Sequence, residues 1–137
     1  MKRFALAAVS MAVALMAMPA TVQAKDTANG TFRVRAHVPV SCWVRPDRTV
    51  TAEEGATGAV IEACNNPGGY TVSAQYRQLG TGESARMIYN DQAVELSSSG
   101  QQVLRQSNMA TIRTVSYQFQ NVNLEQPLIL ALTIQPI

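Results

Sequence analysis

Two cysteines, Cys42 and Cys64, carry the most reactive side chains of this sequence. Two thiols about twenty residues apart can form a disulfide, stay free, or supply two ligands to a metal. A metal site usually needs further sulfur or nitrogen ligands, and His37 is the single histidine of the chain. We therefore predict a Cys42–Cys64 disulfide and no metal site, with free thiols or a pair of ligands as the alternative. Closing a loop of this size stabilises a domain by about 3 kcal/mol in chain-entropy models.

Catalytic chemistry would require a nucleophile, a base and an orienting group within reach of one another. His37 shares a strand face with Arg33 and Arg35, which is typical of a solvated histidine. Glu53 and Glu54 are adjacent in a glycine-containing segment, where a solvated turn is commoner than the carboxylate pair of a glycosidase. The chain also has neither a Gly-x-Ser-x-Gly motif nor a phosphate-binding Gly-Lys-Ser/Thr motif. We predict no catalytic residue, no cofactor and no enzymatic activity.

The first 24 residues have the pattern of an export signal. Residues 1–3 carry two positive charges, on Lys2 and Arg3. Residues 4–16 are largely apolar, and Val22-Gln23-Ala24 fits a cleavage site. A retained membrane helix is the alternative, but the apolar run falls short of the roughly 20 residues that a span needs. The sequence therefore predicts an exported protein that starts at Lys25, without a membrane span after cleavage.

The charge of the exported chain excludes some partners. Cleavage removes two of the 11 basic residues, and those that remain equal the nine acidic residues in number. A neutral chain gives no electrostatic reason to bind nucleic acid or an anionic membrane. The charge is unevenly distributed, since residues 25–48 are basic and the rest is acidic.

These residues must be positioned by strands, because the chain alternates between apolar and polar residues and has almost no helical pattern. The predicted strands are residues 32–38, 40–44, 59–64, 70–76, 86–89, 93–96, 111–119 and 127–134, with weaker signals at 49–52 and 103–104. Segments rich in Gly, Asn, Pro and Ser separate them, such as Asn65-Asn66-Pro67-Gly68-Gly69. Seven or eight short strands in one domain predict an all-β fold, an antiparallel sandwich.

Two terminal segments are the most distinctive part of this pattern. Near the start of the exported chain, Phe32, Val34, Ala36 and Val38 share one strand face, and Pro39 follows at once. Near the other end, residues 127–134 are densely apolar. If the sandwich lacked a final strand, an edge with unpaired backbone groups would have to be covered. A leading strand from a neighbouring chain could cover it by strand addition.

Three segments resemble a known family. They are Thr31-Phe32-Arg33-Val34-Arg35-Ala36-His37-Val38-Pro39-Val40-Ser41-Cys42, Ala59-Val60-Ile61-Glu62-Ala63-Cys64 and Gly69-Tyr70-Thr71-Val72. In these segments the chain is similar to the exported pilin subunits of chaperone–usher systems, most closely to the spore-coat-U-like, or archaic, branch. The similarity extends over nearly all of the exported chain. The chain departs from many pilins at its end, Gln135-Pro136-Ile137, which has no aromatic residue for a chaperone to engage.

The resemblance implies an incomplete immunoglobulin-like β-sandwich that a donor strand completes. It divides the chain into a signal peptide (1–24), a donor extension (25–38) and a pilin-like domain (39–137). The implied inward residues of the donor strand are Phe32, Val34, Ala36 and Val38. The implied edge of the receiving groove is Leu128, Leu130, Leu132 and Ile134.

The same resemblance implies a structural subunit of a surface fibre, with a role in adhesion or biofilm formation. Its partners would be other pilin subunits, a periplasmic chaperone and an outer-membrane usher, and it would pass through the periplasm to the cell surface. Two alternatives remain open on the residues alone. Residues 32–38 could fold back as the first strand of their own domain, and the complete monomer could be a secreted module that binds a carbohydrate or a protein.

Overall fold

The computed structural model describes residues 30–137, so the predicted signal peptide lies outside the described residues. Within residues 30–137 the chain is all β, and no helix there is long and apolar enough to cross a membrane. The strands of the described part are β1 (Cys42–Pro46), β2 (Val50–Thr51), β3 (Thr57–Cys64), β4 (Tyr70–Gln75), β5 (Ser84–Tyr89), β6 (Gln92–Glu95), β7 (Gln101–Ser107), β8 (Thr111–Asn123) and β9 (Ile129–Pro136).

These strands form two antiparallel sheets. The first sheet has the strand order β1-β3-β8-β5-β6, and the second has the order β2-β9-β4-β7. The connection from β3 to β4 and the one from β8 to β9 each pass from one sheet to the other, so the two inner faces share one core. The predicted antiparallel β-sandwich is confirmed.

The core follows from the period-two alternation of the strands. On β8, Val115, Tyr117 and Phe119 are buried, whereas Thr114 and Ser116 on the opposite face are exposed. The rings of Tyr117 and Phe119 meet edge to face with centroids 5.9 Å apart, a favoured geometry for aromatic pairs. The largest fully buried side chains are Tyr70, Tyr89, Phe119, Met87, Leu128, Glu62, Val50, Val60 and Val72.

Turn chemistry sets several strand boundaries. Asn90 and Asp91 join β5 to β6 with positive φ angles of 49° and 64°, the conformation of a tight hairpin turn, and the predicted turn there is confirmed. The weak signal at 103–104 belongs to a longer strand, β7, which pairs with β4. The sequence understated its length because most residues of β7 are polar.

The first strand region changes sheets. β1 pairs with β3 in the first sheet and β2 pairs with β9 in the second, so the chain crosses between the sheets over residues 47–49. Pro46 ends β1 and has no N–H for a further ladder bond. β2 extends over only two residues, Val50 and Thr51. This crossing leaves most of one edge of β9 without a hydrogen-bonded strand among residues 30–137.

The chain divides into two units, and their described residues are 30–35 and 36–137. In the first unit Phe32 and Val34 are 86% and 77% exposed, and in the second Val38 is 73% exposed. Residues 30–41 form no strand. The predicted strand at 32–38 is therefore wrong for the single chain. Alternation alone does not make a strand, because its backbone groups need a partner for their hydrogen bonds.

Candidate partner-binding groove

One edge of β9 is open along most of its length. On one side β9 pairs with β4 over Ala131–Pro136, and on the other it pairs with β2 only at Ile129 and Leu130. Within residues 30–137, no strand pairs with that second side over Ala131–Pro136. Unpaired backbone donors and acceptors in such a row are a template for another strand.

The side chains beside this open edge are apolar and incompletely covered. Leu132 and Ile134 on β9 face the core but are only half-buried. Cys42 and Val44 on β1, which lies close to β9, are also half-buried and pack on the same core. We call the strip of half-buried apolar side chains along β1 and β9 the β1–β9 groove. These four side chains offer an apolar surface to an extended segment.

The predicted disulfide is confirmed. Cys42 on β1 and Cys64 on β3 are bonded, and they stand directly opposite each other in the antiparallel register. The bond fixes β1 to its neighbour at the point where the chain enters the sandwich. Because Cys42 lines the β1–β9 groove, the disulfide also holds one wall of the groove in place.

The loop between β3 and β4 holds both ends of the sandwich chain. The Asn65 side-chain amide donates to the Pro39 carbonyl oxygen at 2.9 Å, and its Oδ1 accepts from the Ser41 N–H at 2.7 Å. The neighbouring Asn66 amide donates to the Ile137 carbonyl oxygen at 2.8 Å. The segment that precedes β1 and the end of β9 therefore lie at the same end of the sandwich.

The eight residues implied by the resemblance occupy two contrasting environments. Leu128 and Leu130 are buried and Leu132 and Ile134 are half-buried, all in or next to β9. The four residues of the implied donor segment, Phe32, Val34, Ala36 and Val38, are all exposed.

A buried charged cluster lies in the core between the sheets, and the sequence analysis did not identify it. Glu62 on β3 is fully buried. Its two oxygens accept from the hydroxyls of Tyr70 at 2.8 Å and Tyr89 at 2.7 Å, and from the Arg105 guanidinium. The strand alternation could have placed Glu62 inward, because it shares a face with the core residue Val60.

A β-bulge aims Arg105 at Glu62. The register between β4 and β7 shifts between Val72 and Ser73, so that Val72 pairs with Arg105 and Ser73 with Val103. Such a shift lets two successive residues of the bulged strand point to one face, and Leu104 and Arg105 both turn inward here. No signal in the sequence marks this bulge.

Burial and hydrogen bonding change the pKa values of three side chains in this cluster. It raises the pKa of Tyr70 and that of Tyr89, because the charged phenolate would lie in the core beside the Glu62 carboxylate. Burial acts to lower the pKa of Arg105, but Tyr70 and Glu62 outweigh it and raise the pKa above its usual value. The cluster is therefore one ion pair and two neutral phenols, all hydrogen-bonded, which is a structural arrangement.

A second ion pair fastens the opposite end of the sandwich. Arg77 and Glu83 form a bidentate pair with both distances 2.7 Å. Glu83 also accepts from the Gly80 and Glu125 backbone N–H groups, and Arg77 donates to the Gln126 carbonyl. The Arg77 hydrogen bond holds the pKa of Glu83 well below its usual range. This network ties the loop after β4 to the loop before β9.

Three other residues with possible chemistry lie at the protein surface. His37, Glu53 and Glu54 are exposed, and Glu54 accepts a hydrogen bond from the Val122 backbone N–H at 2.7 Å. The part of the chain that the structure describes has no group of three or more His, Cys, Asp or Glu residues arranged to hold a metal ion.

The fold and the groove together define an all-β sandwich protein with an open edge on its last strand. Comparison of the chain with protein-family models, with curated proteins and with solved structures found no match.

Proposed function

We propose that the protein is an exported, non-enzymatic structural subunit of a surface fibre that assembles by donor-strand exchange. The single observation that carries the proposal is the open edge of β9 over Ala131–Pro136 beside the half-buried Leu132 and Ile134. In the fibre, residues 32–38 of one copy lie along this edge in the next copy. The groove and the leading segment then complete each other.

The leading segment has the chemistry that this groove needs. Its apolar residues Phe32, Val34, Ala36 and Val38 recur at every second position, so a strand would present them all to one face. Burying exposed apolar side chains of this size contributes roughly 1.5–3 kcal/mol each for the larger ones. The open stretch Ala131–Pro136 is close in length to the segment, so its backbone groups and those of β9 can be satisfied together.

The direction of the chain favours a neighbour over self-insertion. β9 runs toward the end of the sandwich where Asn65 holds Pro39 and Ser41. If residues 32–38 inserted beside β9 of their own domain, they would run toward Pro39 and therefore parallel to β9. A segment from another copy can insert antiparallel, which is the pairing of every other strand in both sheets and the slightly more stable one per residue.

A subunit with an open apolar edge needs a partner before it reaches the fibre. We propose that a periplasmic chaperone supplies a strand to the β1–β9 groove in transit and that an outer-membrane usher then brings subunits together. Strand addition at a sheet edge is the recognition mode that fits this groove.

A second function, binding of a carbohydrate or a protein by a self-complete monomer, is favoured by one other surface. On the outer face of the first sheet Trp43 is 42% exposed, and the Arg45 guanidinium carbon lies 5.4 Å from its ring centroid. Ile112 is exposed on the same face, one strand beyond Ala63. An exposed aromatic ring with an apolar neighbour is a common binding platform.

The oligomeric state of the exported chain separates the two functions. Residues 25–137 and a variant that starts at Pro39 would be purified with the disulfide intact and measured by size exclusion with light scattering. Donor-strand exchange predicts slow growth of heat-resistant polymers by the full chain and a monomeric variant that binds an added peptide of residues 31–40. A stable full-length monomer together with a variant that fails to fold would assign residues 32–38 to their own domain and favour the binding module.

A further inference from the structure

A small depression lies between the end of β7 and the start of β8, away from the β1–β9 groove. Two arginines, four uncharged polar residues and one methionine line it. These residues are Arg105, Arg113, Gln106, Ser107, Asn108, Thr111 and Met109. Its lining includes no carboxylate, so the residues around it offer mainly hydrogen-bond donors and positive charge.

The charges near this depression do not cancel. Glu62 and Arg113 are directly opposite each other in the register of β3 and β8, and both belong to the face that points between the sheets. The single negative charge of Glu62 is already paired with Arg105, and its oxygens also accept from the hydroxyls of Tyr70 and Tyr89. Among residues 30–137, the guanidinium of Arg113 belongs to none of the four ion pairs.

Both guanidinium groups have N–H groups that form no hydrogen bond within residues 30–137. Arg105 uses Nη1 for its bonds to Glu62 and Tyr70, whereas its Nε and Nη2 donate to no protein atom of residues 30–137. Arg113 forms no ion pair or side-chain hydrogen bond within the same residues. No buried side-chain nitrogen or oxygen in the described part lacks a partner, so the spare N–H groups of Arg105 reach solvent, and the depression is where its side chain is accessible.

We propose that the Arg105–Arg113 depression binds a compact oxyanion, a carboxylate or phosphate group. Guanidinium N–H groups are arranged to donate in pairs to the oxygens of such groups. The position of Arg105 is fixed by the bulge and by Glu62, so one half of the site is preorganised. Thr111 and Asn108 at the rim can donate to the remainder of the ligand. The site does not depend on assembly, since none of its residues belongs to the β1–β9 groove.

Isothermal titration calorimetry on the exported chain tests the site, with ionic strength held constant by sodium chloride. The probes are inorganic phosphate, glucuronate as a carboxylate on a sugar, and glucose as its uncharged counterpart. We expect saturable binding of phosphate, glucuronate or both, and at least tenfold weaker binding of glucose. Binding of phosphate alone or glucuronate alone would identify the source of the anion. Absence of saturable binding, or equal affinity for glucose and glucuronate, would overturn the proposal.

One arginine variant tests the site, and a second arginine variant is its matched control. Arg113→Gln removes the unpaired charge of the site and should weaken anion binding at least tenfold. Arg48→Gln removes the same charge at an exposed arginine in the crossing between β1 and β2, where Asp47 is its ion-pair partner, and should leave the affinity within twofold. An equal loss in both variants would mean that the anion responds only to the overall charge. Unchanged binding in Arg113→Gln would likewise contradict the site.

Discussion

β4 and β9 are hydrogen-bonded neighbours in the same sheet, yet their inward residues differ in burial. Val72 and Ala74 on β4 are completely buried, whereas their register partners on β9, Ile134 and Leu132, are only half-buried. All four are apolar and face the same core. The difference shows that the core is less covered at β9, where no strand of residues 30–137 pairs with the second side over Ala131–Pro136.

β7, at the edge of the same sheet, differs from β9 in how its edge is protected. β7 is protected as edge strands usually are, since polar residues such as Gln101, Gln102 and Gln106 occupy much of it, and its inward Leu104 is 3% exposed. β9 has no charged residue and leaves apolar side chains partly uncovered. These differences support the proposal that another strand pairs with the edge of β9, whereas the edge of β7 stays single.

The largest effect is expected from one charge placed on each side of the proposed contact. Val34→Arg should abolish donation but leave the groove intact, and Leu132→Arg should abolish acceptance but leave the leading segment intact. Each variant alone should form no polymer, because a buried unpaired charge is costly. An equimolar mixture should form dimers and nothing larger, measured by light scattering. Long polymers of either single variant would contradict the proposed pairing.

A substitution in the covered part of the core should change the free energy of unfolding. Glu62→Ala leaves Arg105 and two tyrosine hydroxyls without their acceptor, and we expect a loss of about 3–5 kcal/mol in the free energy of unfolding. Urea denaturation of the variant that starts at Pro39 measures this loss without interference from assembly. The double variant Glu62→Met with Arg105→Met should recover part of it, because no buried charge is left unpaired. A loss below 1 kcal/mol in Glu62→Ala would show that water reaches the cluster.

Removal of the disulfide should have an intermediate effect. Cys42→Ala with Cys64→Ala should lower the free energy of unfolding by about 3 kcal/mol, as loop entropy suggests for a loop of this size. Because Cys42 also lines the β1–β9 groove, the variant should bind the peptide of residues 31–40 more weakly than the oxidised protein. Thermal unfolding and peptide titration measure the two effects separately. Unchanged peptide binding would mean that the disulfide does not position the groove wall.

The smallest effect is expected at Glu83, which fastens loops outside both regions. Its pKa is lowered in the folded state, so the stabilisation is present above the ordinary value of 4.5 and is lost as the pH falls toward the folded value. Glu83→Gln should therefore be less stable than the wild type at pH 7, and the two should converge in acid. Urea midpoints measured from pH 7 downward test this prediction. Glu95→Gln, at a more exposed ion pair with Arg86, serves as the control and should show a smaller difference at pH 7.

Local patterns predicted much of this fold. The alternation around Val115, Tyr117 and Phe119 located β8 and its inward face, and the turn at Asn90-Asp91 located a hairpin, since both features depend on neighbouring residues. The cysteine pairing followed from the small number of possible partners. Each of these features can be read from a few consecutive residues.

Other features depend on contacts between distant residues and could not be predicted. The crossing of the chain between sheets at 47–49 decides that β2 begins beside Leu130, and this depends on the three-dimensional course of β9. The bulge that turns Arg105 inward is a property of the pairing of β4 with β7. The segment 32–38 has the pattern of a strand but forms none in the single chain, because a pattern does not specify which chain provides the partner.

Amide hydrogen exchange can show whether the open edge of β9 receives residues 32–38 of another copy. The variant that starts at Pro39 would be measured alone, with a peptide of residues 31–40, and with the same peptide carrying Val34→Asp. We expect the native peptide to protect alternate amides between Ala131 and Gln135 and the Val34→Asp peptide to protect none. Protection elsewhere in the sandwich, or no protection by either peptide, would contradict this pairing.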